Sequence, residues 1–90
     1  MKNYEVRSSF FETSDLPLAV TLSSLGFTLH HLDASNPSRV VFFFVPSEAL
    51  QAAIDAFWNG STAIEPKNFW NTQRELKARI RNEVQGRGGI

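Results

Sequence analysis

The 90-residue chain has no cysteine, which excludes disulfide staples, thiolate zinc sites and thiol nucleophiles. That absence fits a reducing compartment, and a cytoplasmic location is expected. No window approaches the 18 or so apolar residues of a membrane span, and the N-terminal Met1-Lys2-Asn3-Tyr4-Glu5 has no apolar stretch behind its charge, so neither insertion nor secretion is expected. Glycine is sparse, and its five residues form neither a phosphate loop nor a dinucleotide fingerprint. Net charge is also lacking, since nine basic residues balance nine acidic ones, and binding driven by bulk electrostatics loses its support.

What is present is a globular composition, 42% hydrophobic, in a chain of one-domain length. Charge is unevenly placed. Three basic residues stand against seven acidic ones up to residue 65, and six against two from residue 66 onward, so a neutral chain carries a basic end. The expected organisation is a single domain over 1–85 with a frayed glycine-rich tail over 86–90.

Tyr4 to Phe11 alternates with period two and reads as a half-buried strand. Thr13-Ser14-Asp15 supplies capping residues, Pro17 suits a first helical turn, and Leu18, Leu22 and Leu25 mark the apolar stripe of a helix closed by Gly26. Phe27 to Leu32 is a second strand, joined by the polar Asp33-Ala34-Ser35-Asn36-Pro37-Ser38 turn to Val40-Val41-Phe42-Phe43-Phe44-Val45, a third strand with no polar face. Ser47 caps a second helix with stripe Leu50, Ile54 and Phe57, ended by Asn59-Gly60. Pro66 opens a third, with stripe Phe69, Leu76, Ile80 and Val84.

This order, βαββαα, predicts an α+β fold. A right-handed crossover makes strands 1 and 2 parallel, and a hairpin sets strand 3 antiparallel to strand 2. The apolar third strand belongs in the middle, giving a three-stranded mixed sheet of order 1-3-2, a ferredoxin-like half with an extra C-terminal helix and strand 1 as an open edge. Because Phe42 and Phe44 face one way and Phe43 the other, either helices cover both faces or a second subunit covers one. Self-association as a dimer or higher oligomer is expected.

The strings Phe11-Glu12-Thr13-Ser14-Asp15-Leu16, Val41-Phe42-Phe43-Phe44, Phe57-Trp58-Asn59-Gly60, Pro66 before Phe69, and Arg74-Glu75-Leu76-Lys77-Ala78-Arg79-Ile80 resemble a small uncharacterised domain family found in bacteria and their phages. The resemblance covers most of the chain and carries no motif specific to a chemistry. It implies a compact domain in a bacterial host cell, in a phage or mobile-element setting, and transfers no catalytic residue.

The residues themselves lead to a non-enzymatic reading with no metal and no cofactor. His30 and His31 are neighbours on a strand, expected to point to opposite faces and so unable to share a metal ion. Ser14, the histidines and Asp15 or Asp33 contain the types of a catalytic triad without a nucleophile elbow. Glu12 and Asp15 flank a helix start, where carboxylates favour the helix dipole. On the third helix, Lys67, Arg74 and Arg81 recur every seven residues with Lys77 beside them and Trp70 at the border, so an indole and a guanidinium would flank one flat anion. The expected ligand contacts are Trp70, Arg74, Lys77 and Arg81, with Ser14 and Asp15 at the start of the first helix as a second anion site. The leading expectation is an oligomeric protein that captures a nucleotide-like anion, in a phage setting a host immune signal. A protein-interaction module docking through the apolar sheet face or open edge is the alternative. A nucleic-acid accessory role ranks third because of the zero net charge.

Overall fold

The structure is a computed structural model that describes the backbone of residues 9–88 and the side chains of 9–85. Its elements are β1 (Phe11–Thr13), α1 (Leu16–Ser24), β2 (Leu29–Asp33), β3 (Val41–Phe44), α2 (Glu48–Asn59) and α3 (Pro66–Gly88). The sheet order is β1-β3-β2, with β1 and β2 each antiparallel to β3. Strands 1 and 2 run parallel to one another and are separated by strand 3, as expected, but both hydrogen-bonded ladders are antiparallel, so the sheet is antiparallel rather than mixed.

Element boundaries differ from the expectation, β2 taking in Asp33 and starting at Leu29, and β3 running only from Val41 to Phe44. Residues 4–8 of the expected first strand lie outside the described residues, and the strand that pairs with β3 starts at Phe11 and takes in Thr13. Helical backbone in α3 continues through Gly88, past the tail boundary placed at residue 86.

The caps follow from local chemistry. Asp15 sits in extended backbone and its Oδ1 accepts the Leu18 N–H at 2.9 Å, while Pro17 occupies the first turn. Gly26, at φ 98°, ends α1, with the Phe27 N–H on the Leu22 carbonyl and its own N–H on that of Ser23. Gly60, at φ 75°, ends α2 by the same pair of bonds, from Ser61 to Ala56 and from Gly60 to Phe57. Ser47 caps the other end of α2 through the Leu50 N–H.

All three helices pack on one face. Phe42 and Phe44 point into a core with Leu18, Ala19, Val20 and Leu22 of α1, Leu50 and Ile54 of α2, Leu76 of α3 and Leu32 of β2. Five consecutive α1 residues, 18 to 22, are buried, so this helix is enclosed around its circumference, with Thr21 the polar member of an otherwise apolar run. The third helix runs antiparallel along it. Asn68 Nδ2 donates to the Ser24 carbonyl at the end of α1, and Ile80 reaches a cleft shared with Leu16 at its beginning. Helices on both faces, one of the two expected arrangements, is therefore not what forms. Among the described residues no helix is long and apolar enough to cross a membrane.

Candidate functional site

The residues expected to bind a ligand separate into two places. Lys67, Trp70, Arg74, Lys77 and Arg81 all lie exposed along one side of α3, while Leu76 is buried and Phe69, Ile80 and Val84 pack partly against the core. The basic face is thus real, with Trp70 63% exposed on it. Trp70, Arg74, Lys77 and Arg81 line none of the three cavities described below.

Ser14 and Asp15 divide in role. The Asp15 carboxylate is occupied by its own helix start, and its backbone N–H donates to Thr13 Oγ1 at 3.0 Å. Ser14 Oγ instead accepts from Arg39 Nε at 3.3 Å, a contact across 25 residues. Strand order makes that meeting, because β3 lies beside β1 and so carries the end of the β2–β3 loop to the start of α1. The loop is shaped by its polar side chains. Asp33 Oδ1 accepts from the N–H and hydroxyl of Ser35, Asn36 Oδ1 accepts the Ser38 N–H, and the Arg39 N–H donates to the Asn36 carbonyl.

Ser14 and Arg39 border two adjoining clefts. One, of about 220 Å³, has an apolar floor of Leu16, Val40, Phe42 and Ile80 with Ser14, Ser38 and Arg39 at its rim. The other, of about 180 Å³, adds Glu12, Thr13 and Val41. A carboxylate in the second disfavours an anion there, and the first has none in its lining. An apolar floor with a few convergent polar groups is the usual make-up of a small-molecule site. Arg39 was missed from sequence because nothing local marks it. The signal lay in topology, since order 1-3-2 already places the end of the hairpin loop beside the residues after strand 1.

A third cavity of about 270 Å³ lies at the end of α2, lined by Thr21, Phe57, Gly60, Thr62, Ile64 and Phe69. It carries no charged group, and Thr62 Oγ1 is buried with no hydrogen-bond partner there.

The sheet face away from the helices holds an aromatic cluster. His31 stacks on Phe43 at 4.2 Å and 10°, and Phe10 lies 4.5 Å from His30 and 6.3 Å from Phe43 between ring centres. Here the expectation of opposite-facing histidines is overturned. The β2–β3 register pairs Leu29 with Phe44 and His31 with the next residue, Phe43, so His30 is an extra residue in a bulge. The two imidazoles share the open face, with Nδ1 atoms 2.8 Å apart.

No curated protein and no solved structure matches the chain. A family model described as a domain of unknown function, DUF5659, matches residues 8–82. That span contains five of the six elements entire and α3 as far as Asn82, and the chain belongs to this family.

Proposed function

We propose that the domain is a non-enzymatic binder of a small anionic ligand, held at the cleft between the start of α1, the β2–β3 loop and α3. The observation that carries this reading is the Arg39–Ser14 pair at the rim of an apolar cleft free of carboxylates. With Nε engaged by Ser14, the guanidinium is oriented, and its terminal N–H groups form the fork that suits phosphate or carboxylate. The apolar floor takes a ring or short chain attached to that anion. Lys77 and Arg81 flank Ile80 along α3, so the basic face adjoins the cleft and raises its positive potential.

Distance narrows the contact set. Trp70 is ten residues before Ile80, about 15 Å along the helix axis, which is too far for a ligand that fits a 220 Å³ cleft. On this reading Lys77 and Arg81 stay near the ligand, Trp70 and Arg74 do not, and Asp15 acts as a cap. In the phage setting suggested by the sequence resemblance, such a domain would sequester a nucleotide signal of the host. Native mass spectrometry of gently purified protein tests the proposal. Wild type is expected to retain a small anionic molecule that Arg39→Ala loses; the same retained mass in both proteins would refute it.

A second reading has its own observation. Among the described residues no helix covers the face with Phe10, Phe43 and the histidines, and Val45 beside it is 42% exposed, as a self-association surface would be. Sedimentation of wild type against Phe43→Asp checks it, because only a face used for self-association gives a change in assembly.

A further inference from the structure

Leu29 and Leu32 both turn toward the helices, Leu32 buried and Leu29 packed against the core. Residues three apart on a regular strand face opposite ways, so both can do this only if the strand gains a residue between them. His30 is that residue. The bulge therefore brings two consecutive histidines onto one exposed face, where Phe43 beneath His31 and Phe10 beside His30 hold the rings. Their Nδ1 atoms face each other at 2.8 Å, so one nitrogen donates its proton to the lone pair of the other.

We propose that His30 and His31 form a bidentate site for a divalent transition-metal ion of the zinc class, bound through both Nδ1 atoms. Zinc–imidazole bonds of about 2.05 Å place two ligand nitrogens about 2.9 Å apart at a right angle and about 3.3 Å apart at the tetrahedral angle. The observed separation is close to the first value, and binding turns each ring by about 35–45° so that both Nδ1 lone pairs leave the N–H···N line and converge on the ion. Charge and protons balance without an added reactant. The proton on one Nδ1 moves to the Nε2 of the same ring, both imidazoles stay neutral, and two lone pairs become available.

Among the described residues no group of three or more His, Asp and Glu gathers at one point. Asp33 shares the open face but accepts two hydrogen bonds from Ser35, and Glu12 lies across Phe43 on β1. The described residues thus supply two ligands, and the other positions belong to water or to an exchangeable donor. Imidazole nitrogens suit zinc, nickel and copper and disfavour magnesium and calcium.

The test is calorimetric titration of the full chain, without a polyhistidine tag, with Zn²⁺ in a non-coordinating buffer, repeated with His30→Ala, His31→Ala and His31→Phe. The last keeps a ring on Phe43 while removing the nitrogen. One ion per chain is expected for wild type. Each variant should bind at least about tenfold more weakly, because losing either arm of a chelate forfeits the effective concentration of the other. Imidazole ¹⁵N spectra should show Nδ1, not Nε2, moving on both rings. Absence of binding by wild type, undiminished binding by any variant, or shifts at Nε2 would overturn the site.

Discussion

Asp15 holds the first turn of α1 with a single charged hydrogen bond to the Leu18 N–H, and the cost of losing it can be stated. Asp15→Ala should destabilise the domain by about 1 kcal/mol in urea unfolding, whereas Asp15→Asn, an equally good cap, should change it little. Gly60 is a second single-residue determinant. A Cβ there would meet nothing within 4 Å, so the penalty of Gly60→Ala comes from its φ of 75° alone and should be about 1–2 kcal/mol. A smaller effect in the same unfolding experiment would mean that the end of α2 relaxes. Both positions were legible in the sequence, because capping and left-handed turns depend on residue type and near neighbours. Arg39 was not, since its partner Ser14 lies 25 residues away and only the strand order brings them together.

At the level of elements, the third strand distinguishes its faces sharply. Phe42 is 1% exposed against the helices and Phe43 is half-buried on the open side, although both belong to one unbroken apolar run. Phe42→Ala should cost about 3–5 kcal/mol, as for a fully packed aromatic, and Phe43→Ala clearly less. Equal losses would mean that both faces are covered. The run announced a central strand but not which face the helices take, because a run without polar positions has no face to read. The second strand shows the converse. Its Leu29-His30-His31-Leu32 spacing holds the signal for a bulge, since two core leucines with two residues between them cannot both turn inward on a regular strand. Deleting His30 should therefore restore plain alternation, keep both leucines inside and leave stability within about 1.5 kcal/mol of wild type, the range of a tolerated core rearrangement. Unfolding of the deletion variant would show that the bulge itself is required.

As a whole, the molecule is one sheet and one layer of helices, 19 Å across its thinnest axis. In the helix layer α1 is enclosed between its neighbours, and among the described residues the other sheet face carries its own aromatic cluster and no helix. The proposed ligand cleft lies at the margin where the start of α1, the hairpin loop and α3 meet near Arg39. The basic end read from the sequence lies along α3 and borders this margin at Ile80 without lining the cleft. One experiment bears on the claim most directly, a ¹⁵N NMR titration of the wild-type chain with AMP and, separately, with inorganic phosphate, following the Arg39 side-chain Nε–H and the Ser14 and Ser38 amides. Saturating shifts centred on those three groups are expected, and the shifts of the two serine amides should disappear in Arg39→Ala. Shifts centred instead on Trp70 and Arg74, or unchanged by Arg39→Ala, would contradict the claim and return the ligand to the exposed face of α3.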